Sequence, residues 1–257
     1  DSMTIQFYKT PENIQSGITI RNFDLAEQFN QALHTGHEIS AVLNNRSKLA
    51  ASISLPLNKF VFAEQTHSAN FRKITTNDAG SGALTMQDAI CATDAMYTFE
   101  PNIVMTSFTA DCVPVTFYST EANLVGAIHS GWGGTVKEIT LKLFTHLQEK
   151  EQIDLSKVQV QIGMALSSEK FEVDRDVYEK FAVLGYAEPW ISFNELTAKY
   201  HIDNQLVVQK QCELAGIPIS NISIDRTCTF LHPLGFSYRE QRDCGRHVSF
   251  IVRKESN

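Results

Sequence analysis

Three side chains that can bind a metal lie in separate segments of the sequence. His67 lies in QTHS, Cys112 in TADCVPV and His129 in IHSGWGGT, and each segment adjoins an apolar run that is typical of a strand. The gaps of 45 and 17 residues differ from the short paired spacings of structural zinc sites. A catalytic zinc site instead takes three ligands from separate elements and keeps one position open. The residues alone allow a catalytic metal site, but also two hydrogen-bonded histidines and a small buried cysteine.

A glycine-rich turn follows His129 and precedes a predicted helix. Backbone N–H groups at such a helix start attract anions, so Gly133 and Gly134 are candidate phosphate contacts. The alternative is a tight turn from strand to helix, with Trp132 packed in the core. The residues do not decide between the two.

The elements that must position these segments follow from hydrophobic patterning. Apolar runs predict strands at about 60–65, 103–108, 113–118, 124–129, 158–162, 219–224 and 247–252. Helices are predicted at about 135–149, 174–184 and 194–215, with Thr135 as the first N-cap and with Gly216 and Pro218 ending the last. This alternation predicts a layered α/β or α+β domain, a mixed β-sheet with flanking helices. A length of 257 residues favours one domain over 1–257.

Composition restricts the partners and the compartment. The net charge of −7 argues against nucleic acid or an anionic membrane surface as the main partner, and leaves small anions open. No apolar run approaches the ~18 residues of a membrane span, and no segment resembles a secretory signal. The five cysteines are widely scattered, which indicates a reducing compartment, and we expect the cytoplasm. The sequence does not predict an oligomeric state.

QTHS, TADCVPV, IHSGWGGT and FSYR…GR, in this order, resemble the family once described as multicopper polyphenol oxidases or laccases. Members are now described as purine nucleoside phosphorylases or peptidoglycan editing factors. The resemblance implies a layered fold related to a toxin deamidase with a Cys/His pair. It also implies one zinc ion per chain on His67, Cys112 and His129, with copper less favoured. Asp111 is then expected to exchange protons, as a catalytic residue beside Cys112 and His129, or to orient a histidine. The alternative is a structural aspartate that caps a turn.

The same resemblance implies an anion and substrate site. Arg46, Arg239 and Arg246 are candidates for binding phosphate or substrate, because a guanidinium matches phosphate oxygens. The alternative for each is a surface ion pair. For Arg246, a surface ion pair is the favoured interpretation. Tyr238, Trp132 or Phe108 would suit stacking on a purine. Three positions depart from the family's motifs. Gly133 replaces an arginine of the glycine turn, Glu240 replaces the second arginine after FSY, and Met164 replaces a proline. Because two cations are missing near the expected anion site, we expect weak phosphate binding.

The leading functional hypothesis is a zinc-dependent phosphorylase of adenosine, inosine and 5′-methylthioadenosine, with adenosine deamination as a side activity. One alternative is a hydrolase of a peptidoglycan precursor, with Cys112 as nucleophile and His129 as base. A copper oxidase is disfavoured, because the eight histidines include no His-x-His pair. A non-enzymatic protein with a zinc-ordered surface is the remaining alternative.

Overall fold

Two mixed β-sheets packed face to face form the centre of the molecule in the computed structural model, which describes residues 3–255. The strands are β1 (Ile5–Phe7), β2 (Ile14–Thr19), β3 (Phe60–Val61), β4 (Phe71–Lys73), β5 (Ala95–Thr98), β6 (Val104–Thr109), β7 (Val113–Ser119), β8 (Leu124–Ser130), β9 (Gln159–Ile162), β10 (Glu172–Val173), β11 (Ile191–Asn194), β12 (Lys199–Ile202), β13 (Ile222–Ile224) and β14 (His247–Arg253). The helices are α1 (Ile39–Ser52), α2 (Trp132–Val136), α3 (Ile139–Lys150), α4 (Arg175–Ala182) and α5 (Asn204–Ala215).

The order of the strands is β1-β2-β14-β6-β3 in one central sheet and β13-β9-β7-β8-β5-β4 in the other. Most neighbours are antiparallel, but β3 runs parallel to β6, β4 to β5, and β13 to β9. A small antiparallel sheet, β10-β12-β11, lies outside these two. The layered α+β class with mixed sheets is confirmed, although three sheets are present rather than one.

Helices cover the outer faces of both central sheets. Leu49 of α1 packs with Phe60 and Phe250 of the five-stranded sheet. Leu143 of α3 and Val208 of α5 lie in one buried cluster with residues of the six-stranded sheet. A third cluster fills the space between the two sheets and includes Val61, Met96, Met105, Val125 and Ile251. The result is a helix–sheet–sheet–helix arrangement that buries apolar residues on both faces of each sheet.

Two helix predictions need correction. The helix predicted at 135–149 begins at Trp132, with Gly131 rather than Thr135 as its N-cap, and it is broken at Glu138. Glu138 has a φ of 63°, a left-handed conformation that no continuous helix contains. The helix predicted at 194–215 begins only at Asn204, because residues 191–202 form the hairpin of β11 and β12.

The remaining predictions agree with the structure to different degrees. Helix α4 and the end of α5 before Gly216 are confirmed, as are the strands near 103–129, 158–162 and 247–252. The strands predicted at 60–65 and 219–224 are shorter, and α1 and several short strands were not predicted. None of the helices described within residues 3–255 is long and apolar enough to cross a membrane. One domain over 1–257 stays a prediction.

Candidate metal centre

Strand pairing brings Cys112 next to His129. In the antiparallel pair of β7 with β8, Val113 lies opposite Ser130 and Pro114 opposite His129. Cys112 directly precedes β7, so it lies beside the end of β8 that carries His129. The separation of 17 residues along the chain is thus closed by one hairpin-like connection.

His67 reaches the same place by a parallel pairing. Strands β3 and β6 run side by side, so the segments that follow them leave the sheet at the same edge. The side-chain amide of Gln65 accepts a hydrogen bond from the backbone N–H of Phe108 at 2.8 Å and donates one to the carbonyl oxygen of Phe108 at 2.9 Å. These two bonds extend the pairing of the segments toward His67. Gly131 leaves room for the approach, because a Cβ there would lie 2.8 Å from the Cys112 sulfur and 3.0 Å from Nδ1 of His67.

The three predicted ligands form one cluster. Their ligand atoms all lie within 4.8 Å of one another, with His129 buried, Cys112 half-buried and His67 exposed. Donor atoms on one tetrahedral zinc at about 2.0–2.3 Å lie roughly 3.3–3.8 Å apart, so small side-chain adjustments suffice. Two imidazoles and a thiolate are donors that zinc accepts, and three protein ligands leave the fourth position open for substrate.

His129 is oriented by Asp94, a residue that the sequence analysis missed. Nδ1 of His129 lies 2.8 Å from Oδ2 of Asp94, whose side chain is fully buried. Burial lowers the pKa of His129, but the adjacent Cys112 and Asp94 raise it more, to about 9. Binding of a metal therefore displaces a proton from Nε2 at neutral pH. Burial, followed by the proximity of His129, lowers the pKa of His67, which favours the neutral form that binds metal.

The cluster lies in the wall of a cleft of about 700 Å³. The cleft exposes both charged and apolar side chains, among them Gln65, Phe108, Asp111, Trp132, Leu166, Phe171, Asn204, Tyr238, Arg239 and Arg246. A volume of this size is within the range of small-molecule sites. The cleft is therefore large enough for a small-molecule substrate beside a metal ion held by these three side chains.

Asp111 lines the cleft but orients no histidine. Its Oδ1 accepts a hydrogen bond from Thr229 at 2.6 Å, and its Oδ2 accepts one from the backbone N–H of Arg239 at 2.7 Å. Burial raises the pKa of Asp111 although these hydrogen bonds lower it. The role of histidine orienter thus belongs to Asp94, and Asp111 remains a candidate acid–base group.

Arg46 lies in the core and not in the predicted anion site. Its guanidinium donates hydrogen bonds to the carbonyl oxygens of Gln31, Gly82 and Ala83 at 2.7–2.9 Å. The side chain is fully buried, and its charged end lies 4.1 Å from the centre of the Phe62 ring. Arg46 therefore joins α1 to neighbouring loops.

The glycine turn also differs from its predicted role. Gly133 and Gly134 are buried in α2 and do not line the cleft. A Cβ on Gly133 would lie 3.3 Å from the carbonyl oxygen of His67, so the turn packs against the backbone of a ligand segment. Trp132 is 39% exposed at the cleft rather than packed in the core.

Arg239, Arg246 and Tyr238 all line the cleft. Among the residues that the structure describes, no carboxylate lies within 4 Å of either guanidinium, so the surface ion pair favoured for Arg246 is absent. Arg239 donates to the carbonyl oxygen of Glu172 at 3.0 Å. The guanidinium of Arg246 lies 5.7 Å from the ring centre of Tyr238. Two cations without acidic partners make this side of the cleft attractive to an anion.

Comparison with known proteins then gives the family. Residues 15–254 match the family model described as multi-copper polyphenol oxidoreductase laccase. The chain belongs to this laccase-like family. It is 32% identical over 255 residues to purine nucleoside phosphorylase YlmD of Bacillus subtilis, covering 95% of this chain and 90% of that protein. It is 34% identical over 245 residues to purine nucleoside phosphorylase SSP1584 of Staphylococcus saprophyticus, covering 93% and 92%.

Solved structures of similar proteins have the same fold. The hypothetical protein YfiH of Bacillus licheniformis superposes with a TM-score of 0.93 at 30% identity, covering 99% of this chain and 98% of that one. YlmD of Geobacillus stearothermophilus gives 0.87 at 30% identity, covering 99% and 100%.

The laccase-like family name refers to several copper ions, but the described part of this chain offers one site. Within residues 3–255, His67, Cys112 and His129 form the sole group of three or more side chains that could hold one metal ion. Asp94 is not one of these three side chains, but it orients His129 by a hydrogen bond. The sequence signal for it was its place directly before the apolar run AMYT, because a polar residue at a strand end is often functional.

Proposed function

We propose that this protein is a zinc-dependent purine nucleoside phosphorylase of the cytoplasm, acting on adenosine, inosine and 5′-methylthioadenosine, with deamination of adenosine as a side reaction. One observation carries the proposal. The His67–Cys112–His129 cluster lies in a cleft of about 700 Å³ that also contains Arg239 and Arg246. The names of the curated relatives support the same activity.

Phosphorolysis requires phosphate to be held against the ribose C1′ while charge develops on the departing base. Arg239 and Arg246 can hold phosphate by charge-assisted hydrogen bonds, since neither is neutralised by a described carboxylate. When bound, zinc supplies a Lewis acid that stabilises negative charge at the substrate.

Two further groups fit this reaction. Asp111, whose pKa is raised by burial, can hold a proton for the departing base. The apolar walls at Phe108, Phe171 and Tyr238 suit a flat heterocycle and exclude water around it.

Product chromatography tests the proposal. Zinc-loaded protein is incubated with adenosine, inosine or 5′-methylthioadenosine, with and without phosphate and with and without a chelator. Only with both zinc and phosphate do we expect free base and the sugar 1-phosphate, which is ribose 1-phosphate from adenosine or inosine and 5-methylthioribose 1-phosphate from 5′-methylthioadenosine. Adenosine should give inosine with zinc alone. No turnover of any of the three nucleosides at full zinc loading would contradict the proposal and favour a non-enzymatic role.

A second candidate function is a cysteine hydrolase acting on a peptidoglycan precursor. One observation favours it: without a metal, Cys112, His129 and Asp94 have the order of a nucleophile, a base and an orienting carboxylate. The two functions exclude each other in one enzyme state, because a metal-bound thiolate is a poor nucleophile. Hydrolysis that survives the chelator and is blocked by alkylation of Cys112 would establish this second function.

A further inference from the structure

Asp94 contacts both histidine segments of the metal cluster. Oδ2 accepts a hydrogen bond from Nδ1 of His129 at 2.8 Å and from the backbone N–H of His67 at 3.0 Å. Oδ1 accepts the backbone N–H groups of Thr66 and Ser68, at 3.1 and 2.9 Å, and the hydroxyl of Ser68 at 2.6 Å. One buried carboxylate thus joins two segments that are far apart in the sequence.

We propose that Asp94 is the positioning residue of this site, which selects the metal-binding nitrogen of His129 and fixes the backbone that presents His67. The inference rests on the metal-dependent function proposed above. In this proposal Asp94 does not contact the substrate, and it acts by holding His129 and His67 in position.

The first step concerns the tautomer of His129. A carboxylate only accepts hydrogen bonds, so Nδ1 must carry the proton and the lone pair of the neutral ring lies on Nε2. Nε2 is then the nitrogen left for the metal. Water cannot replace Asp94 here, because the side chains of His129 and Asp94 are 3% and 0% exposed. The backbone reinforces the position, since the N–H of His129 donates to the carbonyl oxygen of Asp94 at 2.7 Å.

The second step concerns the turn that carries His67. His67 has a φ of 58°, a left-handed conformation that a residue with a side chain adopts at a cost. In this conformation three successive N–H groups, those of Thr66, His67 and Ser68, converge on the carboxylate. Such backbone nests bind anions, and the bound charge stabilises the turn.

Both steps depend on the same carboxylate, whose Oδ2 accepts hydrogen bonds from both histidine segments. The neighbouring strand fixes the location: β5 begins directly after Asp94, and Ala95 pairs with Ile128 of β8. Rearrangement of Asp94 would therefore disturb both histidines together.

The variant Asp94→Asn tests the proposal by metal affinity. The asparagine amide has one oxygen and one NH₂ group, and the NH₂ group only donates hydrogen bonds. It must therefore face either the backbone N–H groups of Thr66, His67 and Ser68 or Nδ1–H of His129, and the hydrogen bond to that donor is lost. We expect zinc affinity, measured by competition with a chromophoric chelator, to fall about 10–100-fold. Asp78→Asn is the matched control, because Asp78 also caps a turn, that of Thr75, but does not line the cleft. It should bind zinc like the native protein.

A second measurement needs no variant and therefore does not depend on folding. Nitrogen-15 NMR of histidine-labelled, zinc-loaded protein should show His129 protonated at Nδ1, and a purely structural turn cap would not require this. Zinc binding by Asp94→Asn equal to that of the native protein, a His129 ligated through Nδ1, or a native protein that binds no zinc would each overturn the inference. Neither readout uses turnover, so zinc binding with no nucleoside activity would contradict the proposed function alone.

Discussion

Val113 of β7 lies opposite Ser130 of β8, and this pairing sets the position of Cys112 relative to His129. A shift of one residue in the pairing would turn the side chains of β8 to the opposite face of the sheet and remove His129 from the cleft. Core packing fixes this register, because Val115 of β7 and Ile128 of β8 are both fully buried in one cluster. The relative position of Cys112 and His129 therefore depends on the packing of the core.

Metal content should depend on Cys112 and not on the other accessible cysteine. We expect about one zinc per native chain, because the cluster has three ligands and no second cluster lies within residues 3–255. Cys112→Ala should lose zinc and nucleoside turnover while its circular dichroism stays unchanged, since the core does not depend on the metal. Cys91→Ala, at an exposed position outside the cleft, is the control. Elemental analysis showing two tightly bound metals would contradict the single site.

Removal of either cleft arginine should weaken phosphate binding. A charge-assisted hydrogen bond contributes about 1.5–3 kcal/mol, and ~1.4 kcal/mol corresponds to one decade of affinity. Arg239→Ala and Arg246→Ala should therefore raise the phosphate KM about ten-fold or more in steady-state kinetics at fixed adenosine. The exposed Arg242, which does not line the cleft, supplies the control Arg242→Ala. An unchanged KM in both cleft variants would place the anion elsewhere.

Arg46→Lys should affect stability rather than phosphate binding. A lysine keeps the charge but cannot reach the carbonyl oxygens of Gln31, Gly82 and Ala83 together. We expect the free energy of unfolding to fall by about 2–4 kcal/mol, because a buried charge loses its hydrogen-bond partners. Urea denaturation measures this change, and kinetics at a temperature where both proteins are folded should give the native phosphate KM. A raised KM at native stability would restore the sequence-based role of Arg46.

Acid should destabilise the protein through His247. Its Nδ1 donates to the carbonyl oxygen of Thr19, and its Nε2 accepts the N–H of Phe236, at 2.8 Å each, which requires a neutral ring. Burial lowers its pKa to about 4, against about 6.5 in the unfolded chain. Between these values the unfolded state binds the extra proton, so stability is unaffected above pH 6.5 and falls by up to about 3 kcal/mol as the pH drops to 4.

The variant His247→Gln isolates this effect. A glutamine amide can also donate and accept at these two positions but does not titrate, so unfolding measured between pH 7 and 4 should lose part of its pH dependence. His37→Gln, at an exposed position, should keep the native dependence. Equal pH profiles for native protein and His247→Gln would show that His247 is not the responsible group.

Local sequence signals predicted the elements whose patterns are strong. The strands near 103–129 are continuous apolar runs, and the structure has these strands and helix α4 at the predicted places. The break at Glu138 and the hairpin of β11 and β12 were missed for a different reason. The left-handed Glu138, and the pairing of β12 with the distant β10, are stabilised by neighbours that a local pattern does not contain.

The sequence by itself determined the layered class and, through the resemblance of its motifs to a known family, the three side chains of the candidate metal cluster. Only the tertiary structure decided their surroundings: Asp94 rather than Asp111 beside His129, Arg46 in the core, and Arg246 in the cleft. The reason is physical. Residue type limits the chemistry that a side chain can perform, but its partners and its burial depend on strand register and on contacts between segments far apart in the chain.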